Sequence, residues 1–108
     1  MTKRQNAELN RIIKQVPEDK RAIAANLVEE IRFMYDTMGD LKEKIRQYGT
    51  VELFEQGKQR FLRENPAVKS YNTTIQRYST LYKQLTDLLP KTAQAPMESE
   101  LLEFINQE

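Results

Sequence analysis

The sequence predicts an all-α fold: a long antiparallel helical hairpin with a short N-terminal helix, an irregular or small β connector and a short C-terminal helix. Three observations support this prediction. A chain of 108 residues allows one domain with a modest core. Its three glycines and four prolines are too few for a fold of many short strands and turns. Two long stretches carry apolar residues at alternating spacings of three and four.

The first long helix is expected over residues 19–48. Pro17 and the acids that follow it suit a helix start, because proline lacks the amide that the first turn leaves unpaired and acids favour the positive end of the helix dipole. Gly49 supplies the stop. A helix roughly 45 Å long needs a partner helix of similar length to cover its apolar stripe. The predicted stripe consists of Leu27, Ile31, Met34, Met38, Leu41, Ile45 and Tyr48.

The partner helix is expected over residues 66–89. Asn65 is a favourable N-cap, Pro66 suits the first helical position, and Pro90 ends the helix. The tyrosines on its stripe are expected to pack in the core, with their hydroxyl groups at its margin, rather than to stack on nucleic-acid bases. The stripe comprises Val68, Tyr71, Ile75, Tyr78, Tyr82, Leu85 and Leu89, and Leu81 and Leu88 widen it.

Two shorter segments complete the expected hairpin domain, residues 1–90. Residues 2–16 form an amphipathic helix whose apolar face holds Leu9, Ile12, Ile13 and Val16. The connector, residues 49–65, has aromatic and branched residues on both sides of Gly57. This pattern fits either a small β-hairpin that caps the helix ends or a short helix that ends at Gly57.

A linker over residues 91–97 and an acidic segment over residues 98–108 follow the hairpin domain. The segment carries four acids and a short apolar pattern that suits a helix folding against a partner. The alternative is that it packs back on the protein's own hairpin. The docking candidates are Leu101, Leu102, Phe104 and Ile105.

The residue types that most enzymes and metal sites use are scarce in this sequence. Cysteine and histidine are absent, which removes thiolate ligands, imidazole ligands and the commonest general base. The chain has no phosphate-binding glycine loop and no nucleophile elbow. We therefore expect no enzymatic activity, no cofactor and no metal. Since no apolar run approaches about 18 residues, we also expect a soluble, intracellular protein with no membrane partner.

The net charge of +1 conceals an asymmetry between the two ends of the chain. Residues 1–21 carry six bases against three acids, whereas residues 91–108 carry one base against four acids. Basic residues are candidates for contact with DNA phosphates, although solvated helix faces are the alternative interpretation. Neither basic group is dense enough for strong binding by a monomer, but an oligomer would multiply it. The candidates are Lys3, Arg4, Arg11, Lys14, Lys20 and Arg21 in the N-terminal group, and Lys58, Arg60 and Arg63 in the connector.

The stretch RENPAVKSYNTTIQRYSTLYKQLTDLLP, residues 63–90, resembles the second half of a family of phage terminase small subunits. In that family an Asn-Pro-Ala/Leu entry begins a helix that runs through spaced leucines to a proline exit. The preceding helix is similar in character and ends at a Tyr/Glu-Gly step, here Tyr48 and Gly49, before a variable connector. The resemblance covers roughly residues 20–90. The usual glycine near the exit is replaced by Asp87, Leu88 and Leu89. The basic residues that often follow the proline shrink to Lys91, which weakens a DNA role for that region.

The resemblance implies a non-catalytic protein that works in the host cytoplasm. Such subunits assemble into homo-oligomers, often rings, bind double-stranded phage DNA and deliver it to the terminase large subunit, which carries the ATPase and the nuclease. The basic N-terminal face or the connector would then meet DNA, and residues 98–106 would dock on the large subunit. The alternative is a helical-hairpin adaptor or chaperone that binds only protein.

Overall fold

The computed structural model describes residues 1–91, and this part of the chain is mostly helical. The predicted C-terminal helix lies outside the described residues, as does the linker from residue 92 onward. A 3₁₀ turn, Glu18–Lys20, separates the first two helices. The elements in chain order are α1 (Lys3–Gln15), α2 (Arg21–Tyr48), β1 (Val51–Gln56), β2 (Gln59–Glu64) and α3 (Pro66–Asp87).

Helix α1 confirms the predicted N-terminal amphipathic helix. Its N-cap Thr2 accepts a hydrogen bond from the backbone N–H of Gln5, and the Gln5 side chain accepts one from the backbone N–H of Thr2. This reciprocal capping box pairs two amides that a helix start otherwise leaves without partners. Leu9, Ile12 and Val16 are buried on the face expected to be apolar.

Helix α2 ends at Tyr48, as predicted, but begins at Arg21, after the 3₁₀ turn. The prediction that Tyr48 lies on the packed stripe is wrong, because its side chain is 59% exposed. Ala24 and Val28 are fully buried, although neither belongs to the predicted stripe. The buried surface is displaced because the first half of α2 packs against α1 as well as α3, so that it is covered on two sides.

The connector is a β-hairpin, so the all-α prediction is corrected to a mostly helical fold with one two-stranded antiparallel sheet. The alternative of a short helix ending at Gly57 is also wrong. Gly57, with a φ of +59°, occupies the turn between the strands, and glycine adopts this left-handed conformation at little cost. In the register that results, Phe54 lies opposite Phe61 with ring centroids 5.0 Å apart. Aromatic cross-strand pairs of this kind stabilise a sheet.

Helix α3 begins at Pro66 and ends at Asp87, two residues before the predicted end. Asn65 is the N-cap, as predicted, and its side-chain oxygen accepts a hydrogen bond from the backbone N–H of Ala67. The amide group of the same side chain donates to the backbone oxygen of Gly49 at 2.8 Å. One buried side chain therefore caps α3 and joins its start to the end of α2.

The core lies where α1, the first half of α2 and the second half of α3 come together. Tyr35 of α2 packs on Tyr78 of α3, with ring centroids 6.5 Å apart. Toward the β-hairpin, the buried apolar residues thin out to Met38 and Ala67. The molecule is elongated, with extents of 61 × 22 × 21 Å. The buried apolar cluster comprises Leu9, Ile12, Val16, Ala24, Val28, Ile31, Met38, Tyr78, Tyr82, Leu85 and Leu89.

Candidate nucleic-acid interface

Four of the predicted DNA-binding residues lie on the solvent face of α1. Lys3 and Lys14 are three turns apart, and Arg4 and Arg11 are two turns apart. At 3.6 residues per turn, all four side chains fall within an arc of about 100°, opposite the buried face. All four residues are exposed. We call this set, Lys3, Arg4, Arg11 and Lys14, the basic face.

An acidic neighbour reduces the charge of the basic face at one point. A guanidinium nitrogen of Arg11 lies 2.6 Å from a carboxylate oxygen of Glu8, three residues earlier on the same helix. Exposed pairs of this kind contribute little to stability, about 0.2–1 kcal/mol. Arg11 is therefore partly neutralised but still able to reorient toward a phosphate.

Arg21 has a positioning role rather than a place on the basic face. Its guanidinium donates to the backbone oxygen of Val16 at 3.1 Å and to that of Lys14 at 3.3 Å. These carbonyls lie at the end of α1, where helical partners run out and where a positive charge is favourable. Arg21 thus holds the C-terminal end of α1 at the bend, beside the exposed Lys20.

Arg32 on α2 fixes the other side of α1, although the sequence pattern did not point to it. Its Nε donates to Oδ1 of Asn6 at 2.9 Å, and its NH2 group donates to Oδ1 of Asn10 at 3.1 Å. Asn6 and Asn10 are four residues apart, beside the apolar face of α1. The four-residue spacing of the two asparagines was the available sequence signal, although nothing in the sequence indicates which residue of α2 donates hydrogen bonds to them.

The connector bases lie on the β-hairpin, where two of the three face carboxylates. Arg63 lies 2.7 Å from Glu52 and Arg60 lies 3.3 Å from Glu55, each pair bridging the two strands. The Arg63 guanidinium also lies over the Phe54 ring, 4.3 Å from its centroid. Residues 51–64 carry three bases and three acids, so their net charge is zero. The hairpin is therefore a weaker candidate than α1 for binding a polyanion.

The two predicted basic groups do not form one surface within a subunit. The bend at Lys20 and Arg21 precedes α2, whereas Lys58 occupies the turn of the hairpin beyond its other end. The 28 residues of α2 separate its two ends by about 40 Å. The docking candidates Leu101, Leu102, Phe104 and Ile105 lie outside the described residues.

The geometry of residues 1–91 also bears on membrane and metal binding. None of the helices there combines the length and the apolar character needed to cross a membrane. No group of three or more acids in this part of the chain is arranged to hold a metal ion.

Comparison with protein-family models, curated proteins and solved structures found no match to this chain.

Proposed function

We propose that this protein is a phage terminase small subunit, a non-catalytic DNA-packaging protein of the host cytoplasm that oligomerises and binds double-stranded viral DNA. The observation that carries the proposal is the basic face: four bases on the solvent side of a helix whose other side is anchored in the core. In this proposal residues 98–106 dock on the large subunit. A chain ending at Ala95 is then expected to lose stimulation of the large subunit's ATPase.

We also propose that α2 and α3 form the antiparallel hairpin expected for such a subunit. Tyr35 contacts Tyr78 near the middle of the pair, and Lys42 lies over the Tyr71 ring, 5.7 Å from its centroid, closer to the end of α2 and the start of α3. From the first contact to the second, the residue number increases by seven on α2 and decreases by seven on α3. Opposite chain directions would produce this relation.

The number of phosphates that one subunit can reach sets the strength of DNA binding. Four bases neutralise at most four phosphates, which supports only weak, salt-sensitive binding by one chain. Several copies on one duplex convert later contacts into intramolecular events, so avidity raises the affinity by about 10²–10⁴. The proposal therefore requires an oligomer to make the basic face effective.

The experiment measures retention of double-stranded DNA by the full chain over a range of salt concentrations. Replacing Lys3, Arg4, Arg11 and Lys14 with glutamine is expected to flatten the dependence of log K on log salt. The slope falls by about 0.9 for each phosphate that the variant no longer neutralises, hence by up to about 3.6 per subunit. A matched control replaces four exposed bases elsewhere with glutamine: Arg46, Lys69, Arg77 and Lys83.

The control is expected to change the slope less than the basic-face variant, because its bases are dispersed over α2 and α3. Equal slopes for wild type and the basic-face variant would contradict DNA binding by α1. Light scattering during size exclusion, with a monomer mass of 12.8 kDa, reports whether the chain assembles.

A second candidate function, a protein-binding adaptor, is favoured by large apolar side chains on the surface. Phe33 on α2 is 69% exposed and Leu62 on β2 is 72% exposed. Apolar surface of this kind suits protein contacts rather than phosphate contacts. An adaptor should lack salt-sensitive DNA retention, so the same titration discriminates between the two functions.

A further inference from the structure

The β-hairpin exposes both of its edges and much of its apolar surface. Within residues 1–91 the sheet has two strands, so each strand has one side that no strand of this part of the chain pairs with. All six residues of β2 are exposed, and Val51, Leu53 and Phe61 are 46–54% exposed. An isolated two-stranded hairpin is at best marginally stable in water, and long apolar edges favour pairing with another chain.

The register determines which backbone groups point away from the hairpin. The N–H of Asn65 donates to the oxygen of Thr50 at 2.8 Å, just before the Val51–Glu64 pair. Thr50 and Asn65 are thus a hydrogen-bonded pair. Because hydrogen-bonded and non-hydrogen-bonded pairs alternate along an antiparallel ladder, Val51 and Glu64 are a non-hydrogen-bonded pair, whose backbone groups point away from the partner strand. The residues whose N–H and C=O groups point outward are therefore Val51, Leu53 and Glu55 on β1, and Arg60, Leu62 and Glu64 on β2.

We propose that the outer edge of β2 pairs antiparallel with the outer edge of β1 in a second copy of this chain. Leu62 lies opposite Leu53 of the second copy, which repeats between copies the register found within one hairpin. The two outward sets then exchange backbone hydrogen bonds, and Leu53 and Leu62 remain on the same face of the continuous sheet. The inference rests on the oligomer in the proposed function and identifies the surface that would form it.

Charge complementarity selects a second copy in this orientation. Between copies, Arg60 faces Glu55 and Arg63 faces Glu52, so rows of alternating sign run across the joined sheet. Pairing two β1 edges would instead bring four carboxylates together, two from each copy. Pairing two β2 edges would leave both β1 edges unpaired. The head-to-tail arrangement covers both edges in every interior copy.

The dimensions of the molecule require such an assembly to curve. Each copy contributes two strands, which span about 10 Å of sheet. The molecule is 21–22 Å wide across its short axes, so neighbouring helical bodies cannot lie parallel at that spacing. They must diverge from the sheet, and a head-to-tail contact with a constant rotation closes into a ring when the rotation permits.

The first experiment compares Leu62→Pro with Leu62→Thr in the full chain. Both substitutions remove the leucine side chain, but only proline removes the outward N–H, which the chain's own hairpin does not use. We expect the threonine variant to assemble, at higher concentration than wild type, and the proline variant to elute as a monomer. Circular dichroism checks that both variants remain folded. Equal assembly of the two variants, or a monomeric wild type at every concentration, would overturn the proposal.

The second experiment exchanges the charges of both strands in the full chain. The fourfold variant Glu52→Arg, Glu55→Arg, Arg60→Glu and Arg63→Glu keeps opposite charges paired within each hairpin and between identical copies. We expect it to assemble alone but not to co-assemble with tagged wild type, because mixed edges bring like charges together. Loss of self-assembly, or free mixing with wild type, would overturn the proposed register.

The outcomes separate this inference from the proposed function. If Leu62→Pro is monomeric but neither it nor wild type retains DNA, the edge pairing stands and the DNA-packaging function fails. If wild type retains DNA as an oligomer that Leu62→Pro leaves intact, the function stands and the edge pairing fails.

Discussion

Tyr78 and Tyr82 place two hydroxyl groups inside the helical core. Both residues are only 2% exposed, and their hydroxyl oxygens lie 3.5 Å apart. The rings meet edge to face with centroids 4.9 Å apart. Burial raises the pKa of Tyr78 to about 12 and also raises the pKa of Tyr82, where the neighbouring Tyr78 adds to the effect. The core therefore accepts these side chains in their neutral form, partnered with each other.

These raised pKa values predict a loss of stability in alkali. In the unfolded chain a tyrosine ionises near pH 10, whereas folded Tyr78 keeps its proton to about pH 12. The contribution of the buried phenol to stability is thus fully present below about pH 10 and falls as the pH rises toward 12. The slope is at most about 1.4 kcal/mol per pH unit for each tyrosine. Urea denaturation from pH 8 to pH 12 measures it.

A double Tyr78→Phe and Tyr82→Phe variant is the control for this prediction. It removes both hydroxyls together, so neither ring leaves the other with an unpaired polar group. The variant is expected to lose less stability than wild type between pH 10 and pH 12. Identical pH profiles would show that other groups cause the alkaline unfolding.

At the scale of the elements, the chain leaves α2 through a backbone conformation that glycine alone adopts readily. Gly49 has a φ of +79° and a ψ of 176°, and its N–H donates to the oxygen of Ile45 at 2.7 Å. Only a glycine lacks the Cβ that makes this region of φ and ψ unfavourable. The same bend presents the Gly49 oxygen to the Asn65 side chain. The helix end and the start of α3 are thus fixed together.

Two glycine substitutions are expected to change stability in opposite directions. Gly49→Ala should lower the free energy of unfolding by about 1–3 kcal/mol, because alanine is strained at this φ and ψ. Gly39→Ala lies within α2, where an added Cβ meets nothing within 4 Å. It should raise the free energy of unfolding by up to about 1 kcal/mol, because alanine favours the helix. Urea denaturation measures the free energy of unfolding of both variants. Changes of the same sign in the two variants would contradict the different backbone conformations assigned to Gly49 and Gly39.

The elements differ in how far local sequence determines them. The end of α2 and the start of α3 were predictable because Gly49, Asn65 and Pro66 act within one turn. The connector was not, since aromatic and charged residues around Gly57 suit two local structures. The pairing of Arg60 with Glu55 depends on the strand register. The sequence pattern therefore did not show that acids neutralise the connector bases that it offered as DNA-binding candidates. Tyr48 was misplaced because it lies at the end of α2 next to the β-hairpin, where the buried apolar residues thin out to Met38 and Ala67.

At the scale of the whole molecule, the buried apolar residues are concentrated at one end. α1, the first half of α2 and the second half of α3 share most of the core, whereas the opposite end depends on Met38, Ala67 and the Asn65 hydrogen bonds. Apolar burial is the main stabilising contribution to folding, at about 25 cal/mol per Å². The two ends of the molecule should therefore differ in local stability.

Native-state hydrogen exchange is expected to show this difference as a gradient along the molecule. In the Leu62→Pro chain, which should lack protection by a second copy, the amides of Phe54 and Phe61 should exchange through an opening that costs less than global unfolding. The amides of Ile31 and Leu85, within the buried cluster, should exchange only when the whole chain unfolds. Low concentrations of denaturant distinguish the two routes, because global unfolding exposes more surface and depends more steeply on denaturant. Equal opening free energies for the hairpin and the core would contradict the gradient and show that the hairpin folds with the bundle as one cooperative unit.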